Sequence, residues 1–238
     1  MGVPRPVLYF GKGEKGMIPV VDTSNLVDDT GSLIPFGAKA PLSFHELVRL
    51  VESGVIENAA IGQVNGASID LRLGRKLLIE GRSEGYKYPG HPDVVSLKNR
   101  DSLKTVEHDL LHDGPYILKP GEFILASTVE VFHLPNDIVG LLQIVSSAAR
   151  VGCAHLNAGL CSPLWNGSSL TLELRNMTTY HYLKLEYGIT IGQIVLFNCY
   201  PVPERGGYRQ RGSYNNDKTV SGAKKPVVQP QEGETDGN

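Results

Sequence analysis

The residues of this chain best placed for chemistry lie in Val145-Ser-Ser-Ala-Ala-Arg-Val-Gly152, with His155 just after it, and in Leu170-Thr-Leu-Glu-Leu-Arg-Asn176. The first stretch brings together two hydroxyls (Ser146, Ser147) and the guanidinium of Arg150. An Arg fork matches the oxygens of phosphate and hydroxyls add further donors, so this combination suits an anionic ligand. The second stretch sets a single carboxylate, Glu173, between apolar strand residues, where it is suited to proton transfer. The residues alone also allow plainer roles. Glu173 can pair with Arg175 or with an Arg of another chain, Ser146 and Ser147 can cap a short helix, and His155 can be a satisfied core histidine.

Elements are needed to hold these groups. Pro41 to Gly54 reads as an amphipathic helix and its entry turn, with Ser43 as N-cap, Glu46 completing a capping box and Gly54 as the stop. Beyond it the period changes to two: Ile69, Leu71 and Leu73 fall on one face, Asp70 and Arg72 on the other. Residues 81–115 form a long polar excursion, partly strand. Pro120-Gly121 is a turn, followed by strands over 123–132, 138–144, 168–175, 183–185 and 191–200. Many short strands with regular turns and one early helix predict a mainly β domain, an antiparallel sandwich or barrel. Residues 1–40 carry no sustained period and read as an N-terminal extension. The domain spans 41–214, and 215–238 reads as a polar, disordered tail.

Composition narrows the class. Apolar residues make up 41% and charged residues 20%, as in an ordinary globular protein. The formal net charge of −2 argues against bulk nucleic-acid binding, which needs excess Lys and Arg. No apolar run is long enough for a membrane helix, and Met1 to Phe10 lacks the apolar stretch of a signal peptide. Three cysteines without a C-x-x-C pair point to a reducing, cytoplasmic setting.

Taken in order, several segments resemble the dCTP deaminase branch of the trimeric dUTPase-like superfamily. They are Asn65-Gly-Ala-Ser-Ile-Asp-Leu-Arg-Leu-Gly74, Leu118 to Thr128, Leu134-Pro-Asn-Asp137, Ser146 to Gly152 with His155, Leu170 to Asn176, Gly188 to Gln193, and Tyr208-Arg-Gln-Arg-Gly212. The resemblance covers roughly residues 42–214. It implies a distorted jelly-roll, dUTPase-like β-barrel with a short N-terminal helix, assembled as a homotrimer whose sites lie between subunits. It further implies zinc-independent hydrolysis of dCTP to dUTP and ammonia, with Mg²⁺ accompanying the triphosphate and dUTP or dTTP as product or inhibitor. Neither the H-x-E nor the P-C-x-x-C element of the zinc deaminases is found in the chain.

Residue by residue, the resemblance makes Glu173 the general base, with Ser146 ordering the water and Arg150 holding the site and the phosphates. Ser147, His155, Ala158, Ser162 and Thr171 would line the substrate. Tyr208, Gln210 and Arg211 belong to a segment that folds over the nucleotide and is otherwise a flexible polar tail. Gln193 reads as structural.

Two positions depart from the family. Val145 stands where a basic phosphate contact is usual, a loss of about 1.5–3 kcal/mol or roughly ten- to a hundredfold in binding; Arg209 or Arg211 would be the compensating charge. Ser162 stands where an Asp meets the sugar and, in dUTPases, positions the hydrolytic water. Ser cannot serve as a carboxylate base, which argues against dUTP diphosphatase and bifunctional activity while leaving deamination intact. Asn157 replaces a Thr. The departures also admit an altered substrate, a monophosphate or a modified pyrimidine, or a nucleotide-binding module that converts nothing.

Overall fold

The computed structural model describes residues 8–10, 19–21, 41–81, 97, 103–156 and 158–224, in two compact units, Met1–Lys39 and Ala40–Asn238. Within the first unit, β1 (Leu8–Phe10) pairs antiparallel with β2 (Pro19–Val21).

The second unit begins with α1 (Phe44–Glu52). The Glu46 carboxylate accepts from the Ser43 amide at 2.8 Å and from its hydroxyl at 2.7 Å, so the expected capping box closes. Gly54, at φ +76°, makes the left-handed stop that a residue with a Cβ adopts only under strain. Thirteen elements follow in chain order. They are β3 (Ile56–Glu57), β4 (Ile69–Arg72), β5 (Lys76–Glu80), β6 (Thr105–Asp109), β7 (Tyr116–Leu118), β8 (Phe123–His133), β9 (Ile138–Ile144), α2 (Ser146–Arg150), β10 (Cys153–His155), β11 (Leu160–Cys161), β12 (Asn166–Asn176), β13 (Leu183–Leu185) and β14 (Thr190–Asn198). The short helix α3 (Tyr208–Arg211) comes last.

All pairings are antiparallel among the described residues. One sheet runs β10-β12-β8-β5-β6 with β3 added to β8; a second runs β11-β9-β14-β4; β13 pairs with β7. One apolar core holds the fold together, with Ile69, Leu71 and Leu73 of the period-two stretch fully buried beside Phe132, Leu172 and Leu196. The mainly β architecture expected from the turn-punctuated strands is the one found. The excursion at 81–115 is strand over β6; residues 82–96 and 98–102 lie outside the described residues.

An irregularity in β8 shapes the interior. Between Ser169 and Thr171 of β12 the register jumps from Val131 to Ser127, so β8 carries a bulge. The Thr128 hydroxyl fills the gap in the ladder, accepting from Leu170 N at 3.0 Å and donating to Glu130 O at 2.8 Å. Beside it, the fully buried Glu130 carboxylate takes Arg72 Nε at 2.8 Å, Arg72 N at 3.0 Å and Gln63 Nε2 at 2.9 Å. A buried carboxylate is tolerated here because it accepts from a guanidinium, a backbone amide and a side-chain amide.

Residues 215–224, which composition assigns to a disordered tail, are ordered against β12. Asn216 N donates to Asn166 O at 3.1 Å, Ser169 N to Asp217 O at 2.9 Å, and Trp165 Nε1 to Tyr214 O at 2.9 Å. Val220 is buried. Local polarity misleads at this point because the segment is held by backbone hydrogen bonds to a neighbouring strand, which need no apolar side chains. Residues 225–238 lie outside the described residues.

Candidate active site

Strand β12 builds the site by alternation. Leu170, Leu172 and Leu174 point into the core, so the neighbours on the opposite face, Ser169, Thr171 and Glu173, are turned outward. There they line a cavity of about 560 Å³. Strand β8 contributes Leu125, paired with Glu173, and Phe123, paired with Arg175. The β10–β11 connection and β11 give Ala158, Leu160 and Cys161, with Ser162 and Trp165 beyond. The C-terminal segment closes the remaining side with Tyr208, Tyr214 and Asp217.

Glu173 is only partly enclosed, its side chain 22% exposed toward the cavity, whereas His155 behind it is 4% exposed. His155 Nε2 approaches Glu173 Oε2 to 2.9 Å, close but out of line for a hydrogen bond, and both atoms are buried. Pairing of β10 with β12 fixes this neighbourhood, with His155 opposite Leu174 and Leu156 N donating to Glu173 O at 3.1 Å. A histidine expected from its apolar neighbours to be a satisfied core residue thus stands directly against the carboxylate. Burial raises the phenol of Tyr208 above the ordinary tyrosine range and pushes the Cys161 thiol up to about 12, so both are neutral walls.

The other anticipated residues are elsewhere. Ser146 is exposed at the start of α2. Ser147 and Arg150 line a different cavity, of about 880 Å³, together with Thr178, His181, Lys184 and Thr190. Within one chain, the structure therefore does not bring the Ser-Ser-Arg group to Glu173. Gln210 and Arg211 are exposed on α3 and line neither cavity, and Arg209 stands 3.7 Å from Glu204. The charge suggested to replace a basic residue at Val145 is thus supplied to neither cavity by Arg209 or Arg211. Tyr208 does belong to the Glu173 cavity, docked through its amide on Pro163 O at 3.1 Å rather than free in a flexible tail. Gln193 accepts from the Ser68 hydroxyl at 3.3 Å between β4 and β14, a structural position as expected. Asn157 lies outside the described residues.

The two cavities differ in the charged side chains that line them, and in each one charge is already paired: Asp217 with Lys224 at 2.5 Å in the first, Lys184 with Glu186 at 2.7 Å in the second. Among its described lining, the first carries the carboxylates of Glu173 and Asp217 and no Lys, Arg or His; the second carries Arg150, His181 and Lys184 and no Asp or Glu. The first suits an uncharged, flat group that undergoes proton transfer, and the second suits an anion. Sequence reading missed Asp217, Tyr214 and Trp165 in the first cavity. The β12 alternation is the signal that points to Ser169 and Thr171 beside Glu173; no local pattern marks Asp217.

Comparison with known proteins bears on family and fold. A family model described as dCTP deaminase-like matches residues 42–199. A "dCTP deaminase, dUMP-forming" of Thermobifida fusca is 38% identical over 159 residues, 66% of this chain and 76% of that protein. The protein of the same name from Nanoarchaeum equitans is 32% identical over 199 residues, 74% of this chain and 96% of its own length. That of Streptomyces avermitilis is 42% identical over 135 residues, 56% of this chain and 66% of its own; the match thus spans just under two thirds of that relative. A solved 2′-deoxycytidine 5′-triphosphate deaminase from Agrobacterium tumefaciens superimposes with TM-score 0.52 at 20% identity, covering 68% of this chain and 49% of the other, a likeness of fold.

Proposed function

Because the chain belongs to the dCTP deaminase-like family, we propose that it catalyses the hydrolytic deamination of dCTP, giving dUTP and ammonia. The observation that carries this reading is the Glu173 carboxylate, which faces an apolar-walled cavity with His155 at its back, 2.9 Å away. Water beside Glu173 gives up a proton to the carboxylate as its oxygen bonds to C4 of the cytosine. The carboxylic acid passes that proton to N3 as the C4=N3 bond opens. The carboxylate then takes the proton of the new C4 hydroxyl and delivers it to the amine, and the C4–N4 bond breaks as the carbonyl forms and ammonia leaves. His155 packs behind the carboxylate, its Nε2 2.9 Å from Oε2. Leu125 and Phe123 on one side, and Trp165 and Tyr208 on the other, limit bulk water around the reacting atoms.

Charge decides where the rest of the nucleotide goes. A triphosphate is disfavoured beside the Glu173 carboxylate, whereas the Asp217 carboxylate is already balanced by Lys224, so the first cavity takes the nucleoside. The phosphates require a surface like that of Ser147, Arg150 and Lys184, supplied by a second copy of the chain. Shared sites in a homotrimer meet this need, with Ser146 and Arg150 of one subunit facing Glu173 of the next. Exposed Leu141 and Leu160, paired across β9 and β11, give the subunits an apolar contact. Mg²⁺ enters with the triphosphate, where it offsets phosphate charge through oxygen coordination. The setting is cytoplasmic nucleotide supply.

The relatives are named dUMP-forming, which adds a second hydrolysis at the phosphates. Ser162 cannot act as a carboxylate base for that water, and dUTP is therefore the proposed product. Chromatography of products from dCTP, dCMP and dUTP with Mg²⁺, with Glu173→Gln alongside, tests the reading. The expected result is dUTP from dCTP, slowed about 10²–10⁴-fold in the variant. Pyrophosphate and dUMP would replace the proposed product, and no product from any nucleotide would leave a binding module.

A further inference from the structure

The second carboxylate of the Glu173 cavity has no part in the deamination. Asp217 lies in the C-terminal segment and is carried to β12 by two backbone contacts: its carbonyl accepts from Ser169 N at 2.9 Å, and its amide donates to the buried Ser168 hydroxyl at 3.0 Å. Ser169 and Glu173 are separated by four residues of extended strand, about 13 Å at 3.3 Å per residue. The two carboxylates therefore mark opposite ends of one cavity, with the faces of Trp165, Tyr208 and Tyr214 contributing to its walls.

The Asp217 side chain is fixed in place. Lys224 Nζ sits 2.6 Å from Oδ1 and 2.5 Å from Oδ2, and Ser221 Oγ donates to Oδ2 at 3.0 Å. Lys224 is itself tied back, its amide donating to the Tyr214 hydroxyl at 3.1 Å and its ammonium lying 5.4 Å from the centre of the Tyr214 ring. Lys224 and Ser221 both donate to this carboxylate, which serves as the acceptor in each contact. Of about four acceptor positions on such a group, three are used, so capacity remains for one donor from a ligand.

We propose that Asp217 is a specificity-determining residue, accepting a hydrogen bond from a sugar hydroxyl of the nucleotide whose base lies at Glu173. This rests on the nucleoside reading of the cavity given above. With the base at the Glu173 end, the sugar is the part of a nucleoside that reaches toward Asp217. Its 3′-hydroxyl is the donor a deoxynucleotide offers to the remaining acceptor position; the phosphates, all acceptors at neutral pH, offer it none.

The test is calorimetric binding of dCTP and of 2′,3′-dideoxy-CTP to full-length protein carrying Glu173→Gln, in which turnover is slowed about 10²–10⁴-fold. The measurement is repeated with Asp217→Asn and Asp217→Ala added. The expected result is a preference of about ten- to a hundredfold for dCTP, the range of one charge-assisted hydrogen bond. It should collapse to near unity in Asp217→Ala and be reduced in Asp217→Asn, while dideoxy-CTP binds all three proteins alike. Asp217→Asn keeps the side chain's size and its Ser221 contact, which guards against loss of the segment's fold. No hydroxyl preference in the starting protein, or one that survives Asp217→Ala, would overturn the proposal, as would failure to bind either nucleotide. Turnover of dCTP by the unmutated protein is scored separately. Turnover without hydroxyl preference refutes only the role of Asp217, and preference without turnover refutes only the deamination.

Discussion

Replacing Ser168 with Ala should release the C-terminal segment from the cavity while leaving the β domain folded. The Ser168 hydroxyl is fully buried and serves two backbone groups at once, donating to Tyr214 O at 2.7 Å and accepting from Asp217 N at 3.0 Å. A buried backbone group stripped of its partner costs about 1–3 kcal/mol. Tyr214 O keeps a second donor in Trp165 Nε1 at 2.9 Å, so most of the loss falls on the Asp217 amide. The net is about 2–3 kcal/mol against the docked segment, or a roughly 30- to 150-fold larger open population. Limited trypsinolysis reads this directly, since Arg209, Arg211 and Lys218 are exposed on the segment. When opening is fast, the cutting rate follows the open population and should rise by the same factor. Far-UV circular dichroism and the midpoint of global unfolding report separately on the β domain and should move little, whereas the emission of Trp165, the single tryptophan of the chain, should change because its Nε1 loses Tyr214 O. An unchanged cutting rate would show that the hydroxyl does not hold the segment, and a parallel loss of the whole domain would show that segment and domain fold as one unit.

Glu130→Ala should lower stability by about 3–5 kcal/mol, since it strips a buried carboxylate from Arg72 and Gln63, a fall of about 6–20 °C in Tm for a domain of this size; an unchanged melting curve would refute the role given to the β8 bulge. The hydrogen bond from Arg75 at 2.7 Å, with those from the Leu111 and His112 amides, holds the Asp109 carboxyl at about 2, below its ordinary 3.8. Because the folded value is the lower one, its stabilisation is present above pH 3.8 and is lost as pH falls through about 2; exchange protection of those two amides should decline over that window, and Asp109→Asn should remove the dependence. Arg150→Ala and Glu173→Gln proteins, each inactive alone, should regain activity when refolded together, because random mixing in a closed ring restores roughly a quarter of shared sites. No recovery would place both residues of a working site on one chain.

Much of this was legible in the sequence, and the physical reasons differ from element to element. The capping box at Ser43 and Glu46, the stop at Gly54 and the alternation at Ile69, Leu71 and Leu73 are local signals, and each stands as expected. Glu173 was legible because one carboxylate interrupts a run of buried leucines. Its contact with His155 depends on the pairing of β10 with β12, which no spacing along the chain reveals. The C-terminal segment was misread because polar composition describes side chains, whereas Tyr214, Asn216 and Asp217 are held through their backbones. The inward turn of Glu130 follows from a bulge in β8, four strands beyond Arg72 in sequence, and its neighbours in the chain give no hint of it.

The separation of Ser147 and Arg150 from Glu173 is best understood as a consequence of what each half must bind. A guanidinium beside Glu173 in the free chain would form an ion pair with it, and a paired carboxylate is a weaker proton acceptor. Setting the cations of α2 and β13 over a different cavity keeps Glu173 clear of them until a nucleotide spans the two surfaces. Under the proposed function, the triphosphate would then bring its own negative charge to meet Arg150, and the cation would be satisfied by substrate rather than by the base that must take a proton. On this reasoning, moving positive charge into the Glu173 cavity, as in Thr171→Lys, should suppress deamination even if nucleotide binding improves. That divergence between binding and turnover is the signature that distinguishes charge segregation from simple distance.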